Sequence, residues 1–199
     1  MNPSRESTLG TIESELLESG NPPESQAQRG PVLDRLLIRN TITIGNSMGG
    51  FGAIIFAAKL RNCTRAIAFA AQSSVDPEVV SWEQRYNQWF RNISKWAGLD
   101  ATRLLDSKIQ YDLLFGDGDP LDVLHAERLA AVQSPRMVIC IVDGSGHDVA
   151  EFLKRRNLLR PLVDALVVRD EPCQEWMKQL REVPHRLLAD ANGTCWRRS

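Results

Sequence analysis

The chain has 199 residues, 43% of them hydrophobic, and its 24 Lys and Arg against 25 Asp and Glu leave a formal net charge of −1. That length and apolar mass suit one globular domain with a real core, and the balance of charge excludes a basic nucleic-acid binder. Charged residues interrupt the longest apolar runs well before the ~18 residues of a membrane helix, and the polar, acidic N-terminus lacks the apolar stretch of a signal peptide, so a cytoplasmic location is expected.

Residues 1–30 are rich in Ser, Glu, Gln, Pro and Gly, with only a brief helical signal from Ile12 to Leu17, and are expected to form a flexible tail. Residues 31–170 carry the pattern of one domain. It opens with Val32 to Arg39 as a short helix or approach segment, followed by a strand at Thr41-Ile42-Thr43-Ile44 and a helix from Met48 to Leu60. Arg65 to Ala70 reads as the next strand. Within 75–108, Trp82, Tyr86, Trp89, Phe90, Ile93 and Trp96 recur at helical spacing, an aromatic stripe that either packs on the sheet or covers a substrate site as a lid. Gln72, Trp82 and Trp89 are the substrate-binding candidates; Gln72, Ser73 and Ser74 otherwise form a polar loop. Ile109 to Phe115 and Met137 to Val142 are apolar strands, separated by a helix over Leu121 to Val132. A last helix spans about Val149 to Asn157 and continues around Pro161 to Val168. Residues 171–199, with their amphipathic Trp176 to Leu188 segment, are expected to form a helical extension. Strands alternating with helices predict an α/β domain: a mostly parallel sheet with flanking helices.

Cys63, Cys140, Cys173 and Cys195 show no C-x-x-C spacing, which predicts free thiols in a reducing compartment. His125, His147 and His185 lie far apart and none pairs with a cysteine at finger spacing, so no metal site is expected.

The chemistry concentrates after three strand ends. Gly45-Asn46-Ser47-Met48-Gly49-Gly50 joins the first strand to the small-residue helix, a G-x-S-x-G turn that would hold the Ser47 hydroxyl out toward a base. Gly45 and Gly49 would spare Cβ atoms where strand and helix backbones crowd, with Gly50, Gly52 and Ala53 extending the close contact. A P-loop would need Gly-Lys-Ser/Thr at its end, and a dinucleotide fingerprint from Gly50 would need Gly or Ala where Ile55 stands. Both fail. The plainer alternative is that Ser47 only caps the helix. The strand ending at Phe115 runs into Gly116-Asp117-Gly118-Asp119-Pro120-Leu121-Asp122, and the strand ending at Val142 into Asp143-Gly144-Ser145-Gly146-His147. A serine, an acid and a histidine thus follow one another at strand ends.

Thr41 to about Leu166 resembles the second half of an α/β-hydrolase, with Gly-Asn-Ser-Met-Gly-Gly-Phe-Gly-Ala, Gly-Asp-Gly-Asp-Pro and Gly-Ser-Gly-His close to that family's serine, acid and histidine segments. The resemblance implies Ser47 as nucleophile, His147 as general base, Asp119 as the carboxylate that orients the imidazole, and the Met48 N–H as an oxyanion donor. Asp119 is preferred because the family places its acid three residues after the strand-ending glycine, here Gly116. Asp122 is the runner-up. Asp117 and Asp122 are otherwise expected to serve as turn or helix-capping residues.

The resemblance also implies some four strands upstream of the elbow, one of whose loops gives a second oxyanion donor, and no such pattern precedes Thr41. The expected sheet is therefore N-terminally shortened. Its bare edge would be covered by the N-terminal segment or by another copy of the chain, in a homo-oligomer. Two functions follow: a serine hydrolase acting on a small-molecule ester, thioester or amide without metal or organic cofactor, or a non-catalytic remnant that binds a small ligand or a protein.

Overall fold

The computed structural model describes residues 37–86, 100–171, 175–176 and 183–189. The expected tail over 1–30, most of the Val32 to Arg39 segment, Trp89, Phe90, Ile93, Trp96, Cys173 and Cys195 lie outside the described residues. Five strands form one sheet in chain order: β1 (Thr41–Asn46), β2 (Cys63–Phe69), β3 (Gln110–Gly116), β4 (Met137–Val142) and β5 (His185–Ala189). The first four pair in parallel and β5 closes the far edge antiparallel to β4. Among the described residues β1 is the other edge.

The alternation of side chains along a strand sends successive residues to opposite faces, and in a sheet covered on both faces each set must be apolar. β4 does this throughout: Met137, Ile139 and Ile141 join one buried cluster, while Val138, Cys140 and Val142 join another. Helix α1 (Met48–Lys59) and helix α2 (Pro120–Ala130) cover the first face, with Ile54, Ala57, Ala126 and Leu129 packed against Tyr111, Leu113 and Phe115. Helices α3 (Val149–Arg155) and α4 (Leu159–Val167) cover the second, where Leu153, Leu162 and Leu166 meet Ile67, Leu114 and Cys140. Strands added sequentially in one direction through right-handed crossovers keep α1 and α2 on one side. Burying each of these Leu, Ile and Phe side chains contributes about 1.5–3 kcal/mol.

Three sequence expectations change. Residues 185–189 form a strand, not part of a helical extension: β5 completes the hydrogen bonds of β4 and tucks Ala189 into the first cluster. Asn157, at φ 58°, takes the left-handed conformation that ends a helix, so α3 and α4 are separate and Pro161 stands in the first turn of α4 instead of continuing one helix. Residues 81–86 are turns and not the start of a helix. Among the described residues no helix is long and apolar enough to cross a membrane, and Cys63 and Cys140 are buried free thiols.

Candidate active site

Because β1 to β4 are parallel, the segments after their carboxyl ends meet on one side of the sheet. Ser47 occupies the tight turn between β1 and α1 at φ 54° and ψ −123°, a positive-φ backbone that a non-glycine residue rarely adopts. Its amide bonds to the Phe69 carbonyl at 2.8 Å, which anchors the turn to β2. A Cβ on Gly45 would fall 2.0 Å from the Gly49 carbonyl oxygen, so glycine at 45 is what lets α1 start directly over the strand. Gly49 differs from expectation: a Cβ there would meet nothing within 4 Å, and one on Gly52 only the Phe56 ring at 3.9 Å. Of the later glycines Gly50 alone continues the close packing, against Phe69 and Ala71, while Ala53 is buried and its carbonyl accepts from Thr43 Oγ1 of β1 at 2.9 Å.

The Ser47 side chain makes no capping bond to α1. Its Oγ lies instead 2.7 Å from His147 Nε2 and 2.9 Å from Tyr86 Oη. His147 comes from the loop after β4. That loop presses against the loop after β3, where a Cβ on Gly116 would stand 2.3 Å from both the Ser145 and Gly146 carbonyl oxygens. Asp117 ties the two loops together by accepting from the Gly144 amide at 2.7 Å. Arg186 of β5 adds ion pairs to Asp143 and Asp117.

The acid that reaches His147 is Asp122, not Asp119. Both oxygens of the fully buried Asp122 carboxylate face His147 Nδ1, at 2.9 and 3.0 Å. Asp119 is the N-cap of α2: its Oδ1 accepts from the Leu121 amide at 2.9 Å and its Oδ2 from Arg85 Nη1 at 3.1 Å. The two aspartates have exchanged the expected roles, because the extended backbone at 119 turns that side chain onto the free amides of the helix start. One turn later, the Asp122 side chain projects under the imidazole.

Arg85, Glu83 and His125 are not legible from the sequence as site residues. Arg85 Nη1 also donates to Asp122 Oδ1 at 2.9 Å and lies 3.1 Å from His147 Nδ1. Glu83 receives Arg85 Nε at 3.0 Å, and its Oε2 sits 3.0 Å from Nε2 of the buried His125. Burial alone would raise the Glu83 carboxyl, but the His125 and Arg85 hydrogen bonds outweigh it and hold the group at about 2. Burial lowers His125, whose Nδ1 accepts from the Ser73 amide at 3.0 Å, so its neutral form donates from Nε2 to Glu83. The Asp122 hydrogen bond raises His147 above its usual value, with burial and Arg85 opposing. The Trp82 ring packs against His125 with centroids 4.4 Å apart and the rings tilted by 58°, and Gln72, fully buried, donates through Nε2 to Tyr86 Oη at 3.2 Å. Trp82 thus braces a buried histidine. Met48 is the first residue of α1, so its N–H has no acceptor inside the helix.

Asp119, Asp122 and His147 offer three atoms within 4.8 Å of one another that a cation would use. The Arg85 guanidinium already lies between the two carboxylates and supplies positive charge there.

No protein-family model and no curated protein matches the sequence. In structure the chain is similar to a carboxylesterase of the ammonia-oxidizing thaumarchaeon Nitrososphaera gargenis, at 13% identity and a TM-score of 0.53 over 77% of this chain and 76% of that one. It is also similar to the 2,6-dihydroxy-pseudo-oxynicotine hydrolase, at 17% identity and a TM-score of 0.51 over 73% of this chain and 47% of that one. With its mostly parallel sheet, flanking helices and these structural neighbours, the chain has the α/β-hydrolase fold.

Proposed function

We propose that the protein is a serine hydrolase that cleaves an ester, thioester or amide, a carboxylic ester first among these, through an acyl-enzyme at Ser47. The observation that carries the reading is the Ser47 Oγ to His147 Nε2 distance of 2.7 Å, with the imidazole held from behind by Asp122. A serine hydroxyl needs a base within hydrogen-bond reach, and the base needs a partner that fixes its tautomer. Both are present. The strained backbone at Ser47 supports the same reading, since it costs stability without capping α1.

In the proposed reaction Ser47 Oγ attacks the substrate carbonyl carbon while its proton passes to His147 Nε2. Asp122 stabilises the imidazolium, and the Met48 N–H receives the oxyanion. His147 then gives the proton to the departing alcohol, thiol or amine. Water, deprotonated by the same imidazole, attacks the acyl-Ser47; the acid leaves and the serine regains its proton. The structural neighbours include a carboxylesterase, which supports an ester as substrate class. The test is turnover of p-nitrophenyl acetate. Ser47→Ala and His147→Ala should each lose at least about 10⁴-fold, because the members act as a unit. Turnover that persists in Ser47→Ala refutes the proposal.

A further inference from the structure

The Met48 amide is one oxyanion donor, whereas acyl transfer commonly draws on more than one, and removing a donor costs about 10²–10³ in rate. The loop after β2 brings the Tyr86 hydroxyl to 2.9 Å from Ser47 Oγ. We infer that Tyr86, held by Gln72, is a further catalytic residue whose hydroxyl hydrogen-bonds the negative oxygen formed at the Ser47 centre, an inference that rests on the reading of Ser47 as nucleophile.

The direction of each hydrogen bond follows from its neighbours. Arg85 Nη1, a donor, lies 3.1 Å from His147 Nδ1, but the two oxygens of the Asp122 carboxylate, which only accept, stand closer at 2.9 and 3.0 Å and outweigh it, so Nδ1 carries the proton and Nε2 of the neutral ring is bare. Ser47 therefore donates to Nε2 across 2.7 Å. Its hydrogen is then committed, and the 2.9 Å contact with Tyr86 must be a donation from the phenol to Oγ. The phenol oxygen in turn accepts from Gln72 Nε2 at 3.2 Å. Turning the Gln72 amide over would place its oxygen on the phenol and draw the phenol proton away from Ser47, leaving two oxygens 2.9 Å apart with no hydrogen between them. The donors thus run one way, from Gln72 through Tyr86 and Ser47 to His147.

When Oγ bonds to the carbonyl carbon, its proton moves to Nε2 and the carbonyl π pair moves onto the carbonyl oxygen. That oxyanion is joined to Oγ through the one carbon between them. The phenol O–H reaches it by a small torsion, so its hydrogen bond strengthens as charge develops, which is the condition for a catalytic contribution. The phenol is also fixed in advance. Just before it in the chain, Trp82 packs against His125, Glu83 bonds to His125, and Arg85 bridges Glu83, Asp119 and Asp122; across from it stands the buried Gln72.

The test compares full-length wild type, Tyr86→Phe, Gln72→Met and Ser47→Ala in p-nitrophenyl acetate turnover, in the rate of Ser47 labelling by a fluorophosphonate, and in inhibition by phenylboronic acid, which forms a tetrahedral adduct. Tyr86→Phe should lower kcat about 100-fold with KM changed less than about 3-fold, slow labelling similarly, and weaken the boronate by a comparable factor. Gln72→Met should show the same pattern at about 10-fold and serves if Tyr86→Phe does not fold. Unchanged or faster turnover in a folded Tyr86→Phe, with Ser47→Ala inactive, overturns the inference and makes the phenol a latch over the nucleophile. Turnover that survives Ser47→Ala overturns the serine-hydrolase reading itself, and this inference with it.

Discussion

Replacing Asp122 by asparagine exchanges one oxygen for an amide nitrogen in a buried group that touches both His147 and Arg85. Oδ1 accepts from Arg85 Nη1 at 2.9 Å, while Oδ2 lies 2.9 Å from His147 Nδ1. A guanidinium only donates, so in Asp122→Asn the remaining side-chain oxygen would stay on Arg85 and the new NH₂ would face Nδ1. That reverses the tautomer: Nδ1 loses its proton, Nε2 gains it, and the base for Ser47 disappears. Losing both the tautomer and the charge behind the imidazolium costs about 10⁴-fold in kcat, or about 5.5 kcal/mol of transition-state stabilisation. Asp119→Asn is the matched comparison. Asparagine caps a helix as well as aspartate does, and what is lost is a half-buried pair with Arg85 worth up to about 1 kcal/mol, so kcat/KM should fall less than about 10-fold. Steady-state hydrolysis of p-nitrophenyl acetate at pH ~8, above the ordinary His range, with thermal melts to confirm folding, measures both. A larger loss in Asp119→Asn than in Asp122→Asn would refute the assignment and return the role to Asp119.

The acid limb of kcat/KM should lie above 6.5, because the base works only when neutral and Asp122 raises His147; activity is lost as pH falls through that raised value. The groups facing His147 are Asp122, Asp119, Arg85 and Ser47, and of these Arg85 alone lowers it by charge, so Arg85→Met should move the limb to still higher pH; a limb that moves down contradicts the electrostatics. Gly45→Ala should cost at least about 2 kcal/mol in chemical denaturation, since its Cβ collides with the backbone at Gly49 and Gly50. Gly49→Ala should be neutral or stabilising by up to about 1 kcal/mol, and equal destabilisation of the two would contradict the packing at the elbow.

What is legible in the sequence depends on whether a local pattern carries the information. β4 is a continuous apolar run and β3 is apolar but for Gln110 and the buried Asp112; both are buried on both faces, and their positions follow from the sequence to within a residue. Ser47 and His147 stand out because strained glycine-rich turns at strand ends leave a composition signal. The acid falls three residues beyond its expected place for a physical reason: Asp119 caps α2 and Asp122 stands in its first turn, and which one caps and which one reaches the histidine is decided by the loop from β4, far away in sequence. β5 reads as helix because Arg186, Leu187 and Leu188 carry no alternation; their pairing is imposed by the open edge of β4. Arg85 leaves no signal at all, and Tyr86 only its place in the aromatic stripe. Their roles come from a turn-rich loop whose course is set by Glu83 and Trp82 against His125, contacts that no periodicity encodes.

The central claim is that Ser47 is an activated nucleophile, and covalent labelling tests it most directly. The full chain treated with a fluorophosphonate, digested and mapped by mass spectrometry, should carry one adduct, on the peptide containing Ser47. His147→Ala should label far more slowly and Ser47→Ala not at all. An adduct that maps to another residue, or labelling of Ser47→Ala at the wild-type rate, would contradict the account.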